Sequence, residues 1–177
     1  MDKNFKTLVQ ERRSRRKFTD EPVSQEDLHF ILRAALMSPT SKGQRNWQFA
    51  VVTRKDDIVK LSQAKSSGGK FLEKAPLAIV VMGNPEVNPC WIEDCSIAAI
   101  SMQYQAQDLG LGSCWVQMRA RGTDDGRTAN EIVHEILRLP QQLEVLCVLG
   151  IGHPDDLLKP QDEAKLKWEN VIIQSHD

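Results

Sequence analysis

The chain has 177 residues, with 23 Lys and Arg against 24 Asp and Glu and a formal net charge of -1. That length suits a single domain (residues 1–177) that buries roughly 70% of its unfolded surface, so a disulfide framework is not required. Hydrophobic residues at 41%, charged residues at 27% and a pI near 6.4 exclude a disordered chain and argue against a general polyanion binder. The opening MDKNFKTLVQERR lacks the apolar core of a signal peptide. No apolar run approaches the ~20 residues that span a bilayer. The expectation is a cytoplasmic protein with no membrane and no nucleic-acid partner.

In chain order, Phe5, Leu8 and Val9 lie at helical spacing between about Asp2 and Arg12. Ser24 is a good N-cap for a helix over about 25–37, whose Leu28, Ile31, Leu32, Ala35 and Leu36 form an apolar stripe. WQFAVVT, residues 47–53, is aromatic and β-branched and predicts a strand. A polar helix over about 56–65 follows, then a loop, SSGGK, with little to hold it in one conformation. LAIVVM, residues 77–82, reads as a strand covered on both faces. The longest helix, over about 92–109, is apolar on nearly every side and belongs at a core or a subunit interface, with Gly110 and Gly112 bracketing its end. Residues 113–118 and 145–151 predict two more strands, separated by a helix over about 129–139. From His153 onward the chain is polar until a short β-like run, Val171–Ile173, and residues 153–177 read as an arm lying on a surface of the protein or of a partner. Strands and helices without strict alternation give an α+β fold.

Three segments stand out chemically. Five of the six residues from Arg12 to Lys17 are cationic, interrupted only by Ser14. Two cations 6 Å apart in water repel by roughly 0.7 kcal/mol, so the cluster suits a solvated helix end as well as a guanidinium clamp for a phosphate. The loop SPTSKGQRNW, residues 38–47, is dense enough in hydrogen-bonding groups to read the edge of a heteroaromatic ring, and equally serves as an exposed connector. LGLGSCW, residues 109–115, lacks the third glycine and the strand-then-helix order of a dinucleotide loop and reads first as a helix C-cap. Glu93 and Asp94 could act as acid or base, and at the start of the long helix they fit first its positive dipole end. The cysteines form no CxxC and the histidines no HxxxH, so no metal site is expected, and no nucleophile constellation is present. Any chemistry would then rest on a cofactor rather than on a catalytic side chain.

Together, RRSRRKFTDEPV, SPTSKGQRNWQFAVV, the Ala98-to-Trp115 stretch ending in LGLGSCW, and GIGHPDD resemble the successive blocks of the flavin-dependent nitroreductase family over nearly the whole chain. The resemblance implies the nitroreductase fold: a central mixed β-sheet flanked by helices, with a C-terminal arm exchanged in a homodimer. It implies FMN as cofactor, NADH or NADPH as electron donor, and a nitroaromatic, quinone or similar small-molecule acceptor; other flavin chemistry on the same fold, or binding of FMN or another phosphorylated ligand without turnover, is the alternative. It places Arg12, Arg13, Ser14 and Arg16 on the FMN phosphate and on ribityl or pyrimidine oxygens. Ser41, Lys42, Gly43 and Arg45 would approach the isoalloxazine, some from the other subunit, with Trp115 closing the LGLGSCW block. Lys165 and Lys167 would add a phosphate contact. The chain departs from the second block's usual pattern at Gly43, Arg45 and Asn46, where Asn, Gln and Pro are customary.

Overall fold

The computed structural model describes residues 4–174. Five α-helices and four strands are present among them: α1 (Phe5–Glu11), α2 (Gln25–Leu36), β1 (Trp47–Val52), α3 (Lys55–Ser62), β2 (Leu77–Gly83), α4 (Trp91–Asp108), β3 (Gly112–Gln117), α5 (Ala129–Leu137) and β4 (Glu144–Gly152). The elements arise near where the periodicity predicts them, except that α3 stops at Ser62 rather than near 65; the expected start of α1 at about Asp2 lies outside the described residues. Ser24 caps α2 by accepting the Asp27 N–H at 3.0 Å. Thr128 and Glu131 close a reciprocal capping box on α5, which stops at the left-handed Arg138.

The sheet has the order β1-β2-β4-β3, and all three ladders are antiparallel. This corrects the expected mixed sheet. The parallel component within one chain shrinks to an isolated bridge, Ser14 to Ser113, because residues 12–18 meet the β3 edge over too short a length to form a strand. In β4, Leu146 is an extra residue between the pairs Val81–Cys147 and Met82–Val145. Its carbonyl accepts the N–H groups of both Met118 and Arg119, which ends β3.

Alternation along the strands sends side chains into two cores. One holds Val80, Val116 and Val148 under α3 and α5; the other holds Ile79, Leu149 and Ile151 under α2 and α4. Fully buried Ile31, Ile58 and Leu149 are each worth roughly 1.5–3 kcal/mol. Leu36, expected in the buried stripe of α2, is instead 53% exposed at the helix end, and Ile97 on α4 is 39% exposed.

The two glycines of LGLGSCW have separate duties. Gly110 takes φ +78° just after α4, as a C-capping glycine does. Gly112 already belongs to β3, and a Cβ there would lie 2.9 Å from the Arg15 Cβ. Its hydrogen lets the N-terminal segment cross the strand. The SSGGK loop is tied down rather than free: Ser66 N–H donates to the Gly122 carbonyl at 3.0 Å, and Gly69 is buried against the Ser62 backbone. Val171–Ile173 remains exposed and pairs with no strand among the described residues, since no strand edge of the same chain reaches it.

Candidate functional site

The cationic run is drawn out along the edge of β3 and pinned from both sides. Arg15 N–H donates to the Ser113 carbonyl, Thr19 N–H to the His153 carbonyl, and Asp155 N–H to the Lys17 carbonyl. An extended segment sends alternate side chains to opposite sides, and this alternation divides the run. Arg15 turns toward the chain after β4 and forms an ion pair with Asp156 at 2.7 Å, both side chains less than a fifth exposed. Arg13 takes the same direction and donates to the Lys159 carbonyl.

Arg12, Ser14 and Arg16 form the other set. Their influence converges on the Cys114 thiol: burial pushes that thiol up, while Arg16, a hydrogen bond from Ser14 and Arg12 oppose the rise. The Arg16 guanidinium also lies 5.7 Å from the centroid of the Phe71 ring, on the 3-10 turn Lys70–Lys74. Among the described residues neither Arg12 nor Arg16 takes part in an ion pair. Two uncompensated guanidiniums beside a serine hydroxyl at a strand edge fit a phosphate monoester.

The second set is built on backbone. After α2, Ser38 Oγ donates to the Ala34 carbonyl at 3.0 Å and meets Ser101 Oγ at 2.9 Å. The loop then turns on bonds from Gly43 N–H to the Thr40 carbonyl and from Arg45 N–H to Thr40 Oγ1. Lys42, Gly43 and Arg45 all have positive φ, at 52°, 66° and 50°. For the two non-glycine residues that conformation costs about 1–2 kcal/mol each, so the surroundings must enforce it. Ser41 N–H donates to Asp94 Oδ1 at 2.9 Å, while the Lys42 and Arg45 side chains face outward. Beside the loop, the buried Trp47 indole N–H has no partner among the described residues, a cost of about 1–3 kcal/mol.

Within one chain no hydrogen bond or ion pair among the described residues joins the Ser41–Arg45 loop to the Arg12–Arg16 set. Trp115 lies on the face of β3 opposite Cys114, packed with the α2 and α4 core, and donates to Gln117 Oε1 at 2.9 Å. Lys165 and Lys167 sit on the exposed tail, each near a local carboxylate: Asp162 at 3.7 Å and Glu169 at 3.5 Å. Sequence reasoning passed over Phe71, which carries no local signal. It saw Arg15 only as one cation of the run, and Asp94 only as an acid at a helix start.

The Nitroreductase family matches residues 9–70 and 62–153, and the chain belongs to that family. The chain is similar to a solved structure of an FMN-dependent nitroreductase from Clostridium difficile R20291, with 44% identity and a TM-score of 0.92 over 96% of this chain and 98% of that one. A relative from Archaeoglobus fulgidus, named in the NADH dehydrogenase/NAD(P)H nitroreductase group, is 31% identical over 91% of this chain and 97% of its own length. The FMN reductase [NAD(P)H] of Bacillus subtilis is 29% identical over 88% of this chain and 68% of its own. Among the described residues no helix is long and apolar enough to cross a membrane.

Proposed function

We propose that this protein is an FMN-dependent oxidoreductase that takes electrons from NADH or NADPH and delivers them to a small acceptor such as a nitroaromatic or a quinone. The observation that carries the reading is the pair of uncompensated guanidiniums, Arg12 and Arg16, flanking Ser14 at the β3 edge of a nitroreductase-family fold. When bound, FMN supplies the hydride chemistry, at flavin N5, alternating between donor and acceptor. The chain's own residues bind and orient. Arg12, Ser14 and Arg16 hold the phosphate end, and the Ser41–Arg45 loop presents the outward Lys42 ammonium and Arg45 guanidinium to the ring system. No side chain needs to act as catalytic acid or base.

The two sets are unjoined within one chain, which supports a homodimer that completes each site across its interface. Leu36, Met37 and Ile97 give each copy exposed apolar surface on the elements nearest the Ser41–Arg45 loop. Trp168, Ile172 and Ile173 on the tail, 70–87% exposed, would be covered by the second copy as an exchanged arm. In this assembly Lys165 and Lys167 would approach a clamp phosphate from the tail, while Arg13 anchors the tail's first residues.

The test is spectroscopic. Purified protein should be yellow, should bleach anaerobically with NADH or NADPH, and should regain its colour on adding a nitro compound or quinone. A yellow protein that neither nucleotide bleaches would point to flavin storage or another donor. Colourless protein that takes up no added FMN overturns the proposal.

A further inference from the structure

We infer that Asp94 is a positioning residue whose buried carboxylate latches the loop Thr40–Asn46 to the turn Asn84–Cys90, so that the two segments are held as one body. The approach of that loop to a flavin ring rests on the function proposed above; the latch itself rests on geometry. Asp94 lies in the first turn of α4 and is 3% exposed, whereas its neighbour Glu93 is exposed. An acid that merely favoured the helix dipole would stay in water as Glu93 does. No cation pairs with Asp94 among the described residues. A buried carboxylate without a cation persists only when donors satisfy its oxygens, and here the donors come from two different segments.

Oδ1 accepts the Ser41 N–H at 2.9 Å, and Oδ2 accepts the Asn88 side-chain amide at 2.7 Å. Asn88 is itself 1% exposed, and its side-chain oxygen accepts the Cys90 N–H at 2.9 Å. The Asn88 backbone N–H donates to the Asn84 carbonyl at 3.2 Å. That same carbonyl receives the Asn46 side-chain amide at 2.7 Å. The circuit therefore closes: Ser41 to Asp94 to Asn88 to Asn84 to Asn46, with the loop held at both ends. Between those ends lie Lys42, Gly43 and Arg45, all at positive φ, a shape the loop cannot keep by itself. Asn46 is the residue that closes the far end.

The decisive variant is Asp94→Asn. Ser41 N–H and the Asn88 amide both donate toward this position, and a side-chain amide accepts on one side only. The double exchange Asn88→Asp with Asp94→Asn repairs the mismatch. The new carbonyl accepts from Ser41, the new NH₂ donates to the carboxylate at 88, and that carboxylate's other oxygen still accepts from Cys90. Amide hydrogen exchange over residues 40–46, in the full-length protein with and without added FMN, reads the latch directly. FMN dissociation reads its consequence. Asp94→Asn should exchange about tenfold faster over 40–46 and raise the FMN Kd about tenfold, and the double variant should return both to within about threefold of wild type.

Wild-type exchange in Asp94→Asn would overturn the inference. So would a double variant that regains the wild-type Tm while exchange and FMN Kd stay at the single-variant level, the mark of a merely structural role. If Asp94→Asn does not fold, Asn88→Ala removes one arm of the circuit and should speed exchange about threefold; no change there overturns the latch equally. If no form of the protein binds FMN, the proposed function fails, and the exchange measurement without FMN still decides the latch.

Discussion

Residues 12–18 and residues 157–174 are both charged, loop-like stretches, yet the structure treats them differently. The first is welded to the body by two backbone hydrogen bonds, Arg15 to Ser113 and Asp155 to Lys17, by bridges of Ser14 to Ser113 and Phe18 to Pro154, and by Phe18, 7% exposed in the core. The second carries Leu157 at 101% and Ile172 at 87% exposure; among the described residues it meets the body through Gln161 N–H on the Gln10 carbonyl, the Arg13 bond to Lys159, and a cleft that Glu163 and Leu166 line with Val9 and Tyr104. Cations become a binding site when their backbone is fixed and their carboxylate partners are withheld. Apolar residues on a strap left exposed suit the exchanged arm proposed above.

The largest expected effect breaks this comparison at the tail. Replacing both Trp168 and Ile172 with Asp should abolish the dimer by sedimentation velocity at micromolar concentration and release most of the bound flavin. A stable yellow dimer would show that the tail is dispensable. At the welded segment, Arg12→Ala or Arg16→Ala should weaken FMN binding roughly ten- to hundredfold, as loss of a charge-assisted contact does, while Arg15→Ala should act on stability more than on FMN affinity. Fluorescence titration with FMN, beside a thermal melt, separates the two.

A smaller change sharpens the account of how the segment is welded. Gly112→Val places side-chain atoms within the space of Arg15 and should destabilise by about 1–3 kcal/mol, visible in urea unfolding at unchanged m-value. A neutral result would mean that the crossing adjusts freely. The smallest expected effect concerns Arg45, whose outward side chain would favour negative charge on the reduced flavin. Arg45→Gln should lower the FMN midpoint potential by about 30 mV, the equivalent of tenfold for a two-electron couple. An unchanged or higher potential removes Arg45 from that role.

The elements were legible from local pattern. Ser24 before an apolar stripe, LAIVVM and the long Ala-rich helix each specify their own backbone through capping, burial and period, and the structure departs by only a residue or two at their ends. The candidate site was legible as three blocks of sequence and not as a place. Nothing local says that Arg13 and Arg15 turn toward the tail while Arg12 and Arg16 remain uncompensated. That division depends on the segment being extended, and the extension is enforced by β3 from nearly a hundred residues away. The contacts of Asp94 were hidden for the same reason: its first-turn position is visible in sequence and holds in the structure, whereas its burial depends on Ser41 and Asn88 arriving from other elements.

The periodicity and the spacing of the blocks by themselves determined the α+β class and the family resemblance, because those properties are sums or periods along the chain. Only the tertiary structure decided which cations are free, why Gly112 must be glycine, and which buried carboxylate holds the loop. Each of these is a distance between atoms remote in sequence, set by how the sheet edge, the N-terminal segment and α4 pack together.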